Sequence, residues 1–286
     1  MAEPQGNREH KDRLFLKVFE DREALLSLYN AVNGSDYENP EELEITTLDN
    51  VLYMRMKNDL SFLIDGSLNF YEHQSTFNPN MPLRGCFYMA KVYQEYVERR
   101  QLDIYSSTRL TLPTPRFIVF YNGTDRMKHT PELTLKLSDS FEKQEEEPAL
   151  ECKARVININ YGFNTEIMEK CPKLYEYSFL ISKIREGTAQ GKKLEAAIGA
   201  AIDICIEEGI LTDLLTSYRM EVIGMLLTEY DEERHLKNTY EEGVKKGQKK
   251  GESIGEFRQL YKLIQKNFLT LHDAASANSM TEEQLM

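Results

Sequence analysis

The stretch that decides the fold is NDLSFLIDGSLNFYEHQSTFNPNMPLR, residues 58–84. It contains two strand-like runs, Leu60–Ile64 and Ser67–Ser75, separated by the dipeptide Asp65-Gly66. An Asp-Gly pair between two such runs is a strong signal for a β-hairpin, because a type I′ turn needs a positive φ at both central residues. The sequence therefore predicts two antiparallel strands joined by a two-residue turn.

The register of this hairpin brings two acidic residues together. A two-residue turn pairs Ile64 with Ser67, and counting outward along both strands places Asp59 directly opposite Glu72. Directly opposed residues have Cβ atoms about 4.5–5.5 Å apart. Gln74 lies two positions beyond Glu72 and therefore points to the same face of the sheet.

An opposed Asp59–Glu72 pair suggests a metal site, because two adjacent carboxylates repel each other. Mg²⁺ is the simplest compensation, since it takes one or two carboxylates and keeps several waters. Water on such a metal is more acidic than bulk water and can attack a phosphodiester. The neutral amide of Gln74 could orient that water or hold a phosphate oxygen. The alternative is a surface hairpin whose charged end faces solvent.

The order Asp59, hairpin, Glu72-x-Gln74 resembles the core of the PD-(D/E)xK nucleases, with Gln in the place of the usual Lys. The longer strings KNDLSFLI and EHQSTFNPNMPLRG resemble the Rpn family of recombination-promoting nucleases, which are also described as PD-(D/E)xK nuclease family transposases. This resemblance extends over about residues 12–235.

The resemblance implies an α/β fold: a PD-(D/E)xK restriction-endonuclease-like core with a mixed central sheet flanked by helices, followed by an α-helical C-terminal region. It also implies a metal-dependent DNA endonuclease that hydrolyses phosphodiester bonds and is associated with DNA recombination or mobile DNA elements. Asp59 and Glu72 would be catalytic metal ligands for Mg²⁺, with Mn²⁺ as a substitute, and Gln74 would be the third catalytic residue.

Arg84 is the candidate substrate-binding residue. It follows a loop with two prolines, Pro79 and Pro82, and opens a predicted helix over residues 84–100. The forked guanidinium suits a phosphate, and backbone N–H groups at a helix start also favour anions. The alternative is a structural salt bridge between Arg84 and one of the two acids.

The order of the remaining elements supports an α/β fold. Apolar residues at helical spacing predict a first helix over residues 11–32, which Asn33-Gly34 should end. Glu20 and Asp21 on this helix are either solvated charges or acids that lean toward the metal site. Strands are predicted over residues 51–55, 117–121 and 155–161, and a polar connection over residues 124–150. Helices and strands thus alternate, as in an α/β protein with a mixed sheet.

The C-terminal half is predicted to be helical, over residues 174–184, 194–206 and 210–230. Beyond it, glycine recurs every fourth residue, which is either a helix with a self-association seam or a flexible linker. The glycines are Gly243, Gly247, Gly251 and Gly255, and Lys245, Lys246, Lys249 and Lys250 beside them could touch DNA.

Three regions follow from these patterns. Residues 1–185 form a nuclease-like domain, residues 186–236 a helical extension, and residues 237–286 a glycine-repeat helix or linker with a small helical tail. The tail resembles a helix-turn-helix motif, with Ser279 or Thr281 as a helix N-cap.

Composition limits the function classes. The 286 residues carry a net charge of −12, which excludes DNA binding by bulk charge and requires a local basic patch or metal ions. The four cysteines are widely spaced without a CxxC pair, so structural zinc is not expected. Without a signal-peptide pattern or an apolar run of roughly 18 residues, the sequence predicts a cytoplasmic protein with no membrane contact.

A second function remains open: a catalytically weak or inactive DNA- or protein-binding module that forms homo-oligomers through its helical C-terminal half. The acidic charge balance and the neutral Gln74 favour this alternative. Convergence of Asp59, Glu72 and Gln74 on one point would favour the enzyme instead.

Overall fold

The computed structural model describes residues 14–46, 60–124, 126–266 and 268–277. The chain divides into two compact units, Met1–Tyr230 and Asp231–Met286. The described residues include no helix that is both long and apolar enough to cross a membrane. The predicted strand over residues 51–55 and the predicted N-caps Ser279 and Thr281 lie outside the described residues.

The first unit contains a mixed sheet, as predicted for an α/β protein. Its order is β1-β2-β3-β4-β6-β5. β3, β4 and β6 run parallel to one another, and the other pairs are antiparallel. The strands are β1 Glu44–Ile45, β2 Leu60–Ile64, β3 Ser67–Gln74, β4 Thr114–Tyr121, β5 Glu132–Lys136 and β6 Lys153–Asn158.

The predicted hairpin is confirmed for β2 and β3. Asp65 and Gly66 have φ values of 45° and 67°, the left-handed conformation that a two-residue turn of this kind needs. Ile64 pairs with Ser67, and the ladder continues in register to Leu60 and Tyr71. A hydrogen bond of 2.6 Å from the Tyr37 hydroxyl to Asp65 Oδ2 holds the turn.

Within the first unit, helices cover both faces of the sheet. Two short 3-10 helices, Pro40–Glu42 and Leu137–Ser140, occur in the connections. The α-helices of the described residues are α1 Leu14–Val18, α2 Arg22–Asn33, α3 Met81–Arg99, α4 Thr165–Lys170, α5 Pro172–Ala189, α6 Leu194–Glu207, α7 Thr212–Ser217, α8 Arg219–Gln265 and α9 Leu271–Ala277.

The single first helix predicted over residues 11–32 is wrong, because the described part contains two helices. Asp21 has an extended backbone, and its Oδ1 accepts a hydrogen bond of 2.9 Å from Ala24 N, so Asp21 is the N-cap of α2. Glu20 forms a surface ion pair with Lys17. Gly34 ends α2 in the left-handed conformation, as predicted.

The polar connection predicted over residues 124–150 is also wrong, because it contains β5. This edge strand pairs with β6, and the Arg155 guanidinium donates to Glu132 Oε2 at 2.8 Å across the pair. The helix predicted over residues 210–230 is interrupted at Tyr218, between α7 and α8.

The glycine repeat lies within α8, so its backbone is helical and is not a linker. No atom of the described residues outside the helix's own backbone lies within 4 Å of a Cβ added at any of the four glycines. Close helix packing at the repeat therefore does not occur among the described residues, and a self-association seam stays a prediction.

β3 is buried on both faces, as expected for a central strand of a sheet that is covered on both sides. Leu68 and Phe70 of β3 belong to an apolar cluster with Tyr88 of α3. Tyr71 belongs to a second cluster on the opposite face, together with Phe15 of α1. Side chains of β3 thus alternate between the α3 face and the face covered by α1 and α5.

Candidate functional site

The carboxyl end of β3 carries two of the predicted site residues. Glu72 pairs with Val119 of β4, and Gln74 pairs with Tyr121. Because residues two apart on a strand share a face, both side chains belong to the α3 face of the sheet. Ligands of open α/β sheets bind outside the carboxyl ends of the strands, so the position suits a functional site.

Glu72 is a buried acid with only 1% of its surface exposed. A carboxylate in such a place is stable only if a cation or hydrogen-bond donors compensate for its lost hydration. Arg84 of α3 provides such compensation, since its Nη2 lies 3.2 Å from Glu72 Oε2. The structural salt bridge, one of the two roles open to Arg84, is therefore present.

Tyr88 holds the guanidinium of Arg84 in place. Its hydroxyl accepts hydrogen bonds from Arg84 Nε at 3.2 Å and from Arg84 Nη2 at 2.8 Å. Tyr88 is itself buried and lies one helical turn after Arg84. Tyr88 is not among the residues predicted from the sequence, although the i, i+4 spacing of an arginine and a tyrosine on one helix is a recognisable signal.

Gly85 explains how α3 comes close enough for this contact. A Cβ at Gly85 would lie 2.3 Å from Cδ1 of Phe117 on β4. A side chain there would force either the Phe117 ring or the helix to shift. A shift of the helix would take the neighbouring Arg84 out of reach of Glu72.

Gln74 is half-buried at the end of β3. Its main-chain oxygen accepts a hydrogen bond of 3.0 Å from Asn122 N. Its side-chain amide has no hydrogen-bond partner within the described part of the chain. The amide could therefore hold a water molecule or a phosphate oxygen.

Asp59, the fourth predicted site residue, lies outside the described residues. The described residues contain no group of three or more His, Cys, Asp or Glu side chains that could hold a metal ion. The oxygen donors of Glu72 and Gln74 nevertheless fit Mg²⁺, which needs few protein carboxylates and keeps its waters. Glu72, with Asp59 as the predicted second ligand, would hold the ion in competition with Arg84.

His73 does not take part in this arrangement, because it points to the opposite face of β3. Its Nε2 lies 2.9 Å from the Tyr177 hydroxyl, and its ring stacks on Phe15 with centroids 4.9 Å apart. It is almost completely buried. We therefore assign His73 to the core.

Comparisons of the chain with protein-family models, curated proteins and solved structures found no match. The α/β architecture with a mixed sheet rests on the structure itself. The nuclease fold and the resemblance to the Rpn family are predictions from the sequence.

Proposed function

We propose that this protein is a metal-dependent DNA endonuclease of the PD-(D/E)xK type that acts in DNA recombination or on mobile DNA elements. The observation that carries the proposal is the buried carboxylate of Glu72, which shares the α3 face and the carboxyl end of β3 with Gln74. The hairpin register is the one from which Asp59 is predicted to oppose Glu72.

Each residue has a chemical role in this proposal. Glu72 and Asp59 would hold Mg²⁺ or Mn²⁺, which would supply an acidified water and positive charge for the phosphate. Gln74 orients the attacking water through its amide. With Glu72 holding the ion, the Arg84 guanidinium would be free to leave its ion pair and bind a phosphate oxygen of the DNA.

A plasmid-nicking assay with Mg²⁺, Mn²⁺, Ca²⁺ or EDTA tests the function. We expect nicking with Mg²⁺ and Mn²⁺ and none with EDTA. Asp59→Ala and Glu72→Gln should abolish nicking, because each removes a charged ligand of a hard cation. Glu98→Gln is the matched control, since Glu98 is an exposed acid on α3. Full activity of folded Asp59→Ala protein would refute the assignment of Asp59.

The Arg84–Glu72 ion pair favours a second candidate, a DNA- or protein-binding module that is catalytically weak or inactive. Arg84 already compensates for the buried carboxylate, so the site is electrostatically stable without a metal. In this alternative the helical C-terminal half forms homo-oligomers. Gel retardation of DNA without nicking in any metal, with a dimer or larger species by light scattering, would support the second candidate.

A further inference from the structure

A cavity of about 380 Å³ lies on the face of the sheet opposite to Glu72, between the carboxyl ends of β4 and β6 and helix α5. Asn122 directly follows β4, and Asn160 and Tyr161 follow β6. Ser178 and Arg185 of α5 form the other wall. The position outside the carboxyl ends of parallel strands is one where α/β proteins bind ligands, and the volume suits a small molecule.

Two buried polar atoms of the lining have no hydrogen-bond partner among the described residues. Asn122 is 4% exposed and donates its Nδ2 to the Tyr177 hydroxyl at 3.1 Å, but its Oδ1 has no donor. Ser178 is 3% exposed, and its Oγ is likewise unpartnered. Unpaired buried polar atoms are costly, so a ligand that pairs with both would be favoured.

The unpartnered hydroxyl distinguishes Ser178 from the other serine and threonine residues of α5, Ser182 and Thr188. Ser182 Oγ donates to the main-chain oxygen of Phe179 at 2.7 Å, and Thr188 Oγ1 donates to that of Arg185 at 2.9 Å. A serine or threonine inside a helix commonly donates its hydroxyl to a main-chain oxygen of the preceding turn in this way. The Ser178 hydroxyl makes no such bond, which leaves it for a group in the cavity.

Arg185 adds a positive charge to the cavity. Its guanidinium donates to Asn160 Oδ1 and to the main-chain oxygen of Asn122, which are both neutral acceptors. Among the described residues it has no acidic ion-pair partner, because the nearby Glu186 pairs with Lys183 at 2.9 Å. A guanidinium that lacks a carboxylate partner attracts an anion.

Aromatic rings lie beside the cavity. Tyr161, which lines it, is 48% exposed. Its ring centroid lies 5.6 Å from that of Phe179 and 5.8 Å from that of Tyr175. Exposed aromatic rings of this kind are platforms on which nucleic-acid bases stack.

We propose that this cavity binds a nucleoside 5′-monophosphate. The phosphate contacts the Arg185 guanidinium and the Ser178 hydroxyl, which lie seven residues apart and therefore on the same side of α5. Asn122 Oδ1 accepts a hydrogen bond from an amino or hydroxyl group of the nucleotide, and the base stacks on Tyr161. This site is separate from Glu72 and does not depend on nuclease activity.

Calorimetric titration of the full chain with AMP, adenosine and inorganic phosphate tests the proposal. AMP should bind at one site and more tightly than adenosine or phosphate alone. Arg185→Gln should reduce AMP binding to the level of adenosine. Tyr161→Ala should weaken AMP and adenosine but leave phosphate binding unchanged. A 5′-phosphorylated tetranucleotide distinguishes the source of the nucleotide. If AMP binds more tightly than the tetranucleotide, the ligand is a free nucleotide. If the two bind with equal affinity, the ligand is the 5′ end of a strand.

Ser178→Ala separates ligand binding from a structural role. Removing an unpartnered buried hydroxyl should leave thermal stability unchanged or raise it, whereas AMP affinity should fall about tenfold. Lys173→Gln on the same helix is the control for Arg185→Gln, because Lys173 pairs with Glu176 outside the cavity and both substitutions remove one positive charge. No saturable AMP binding, or wild-type affinity in Ser178→Ala and Arg185→Gln, would overturn the proposal.

Discussion

Arg84 and Glu72 form an ion pair between the first turn of α3 and the carboxyl end of β3, with Arg84 Nη2 at 3.2 Å from Glu72 Oε2. The Glu72 side chain is 1% exposed and the Arg84 side chain 27% exposed, so the acid depends on this cation far more than the cation depends on the acid. A metal ion at Glu72 would take over the role of Arg84. Metal binding and the position of Arg84 are therefore expected to be linked.

Arg84→Met tests this link. Loss of the guanidinium removes the positive charge beside the buried Glu72 carboxylate, and the free energy of unfolding should fall by about 3 kcal/mol. Mg²⁺ should restore part of the loss if Glu72 binds the ion, because a ligand of the native state stabilises it. The measurement is urea unfolding with and without Mg²⁺.

The double variant Glu72→Gln/Arg84→Met is the control for that experiment. It removes both charges, so it should be more stable than Arg84→Met alone and should not respond to Mg²⁺. Equal stability of the single and double variants would show that the Glu72 carboxylate does not need the Arg84 charge to remain buried.

Gln74 should contribute to catalysis through one positioned hydrogen bond. Gln74→Ala should lower kcat by about 10²-fold, whereas Gln74→Lys should keep or raise it, because Lys is the usual residue of PD-(D/E)xK sites. The readout is single-turnover nicking across a Mg²⁺ titration. Metal affinity should change less in both variants than in Asp59→Ala, and an Ala variant as fast as the wild type would exclude a catalytic role for Gln74.

Gly85 should be intolerant of a side chain. In Gly85→Ala the new Cβ would collide with the ring of Phe117, 2.3 Å away, so we expect a loss of about 1–3 kcal/mol in the free energy of unfolding. Gly199→Ala in α6 is the matched control, because nothing lies within 4 Å of its added Cβ. This control should be more stable by about 0.5–1 kcal/mol.

A second substitution makes the Gly85 prediction specific. In Gly85→Ala/Phe117→Leu, the smaller leucine side chain replaces the Phe117 ring. This should relieve the collision and recover part of the free energy of unfolding. If Gly85→Ala and Gly199→Ala change stability alike, the close approach of α3 to β4 does not depend on glycine.

Three of the four cysteines should be protected from thiol reagents. Burial raises the pKa of Cys152 to about 11 and that of Cys205 to about 12, and it also raises the pKa of Cys171. Native protein at about pH 8 should react with DTNB rapidly at half-buried Cys86 alone, and all four thiols should react in guanidinium chloride.

The same pKa values set the direction of a pH effect on stability. Both pKa values are raised above the ordinary value of 9.0. The contribution of the neutral buried thiols to the free energy of unfolding is therefore fully present below pH 9. The contribution is lost as the pH rises towards 11 and 12. In the DTNB experiment, rapid reaction of more than one thiol of the native protein would contradict the buried positions of Cys152, Cys171 and Cys205.

The sequence by itself determined the hairpin and its register. Asp65-Gly66 requires a positive φ at two successive residues, and this local requirement sets the pairing of Ile64 with Ser67. Strand periodicity then placed Glu72 and Gln74 on one face of the sheet. Local turn chemistry and side-chain alternation need no information from distant parts of the chain.

Other features of the sheet could not be predicted in the same way. β5 is an edge strand with half-exposed and exposed side chains, so its polar sequence resembles a loop until it pairs with β6. The apolar spacing of the first predicted helix continues across Asp21, and the N-cap there became evident only from its backbone conformation.

Only the tertiary structure decided what Arg84 contacts and where the cavity lies. From the sequence, a salt bridge and a phosphate contact are both open to Arg84. The salt bridge to Glu72 depends on the close approach of α3 to Phe117 at Gly85. The cavity needs Asn122 and Ser178, which belong to separate elements, β4's C-terminal flank and α5. Such contacts join residues far apart in the chain, and packing between a helix and a sheet, rather than local conformational preference, brings them together.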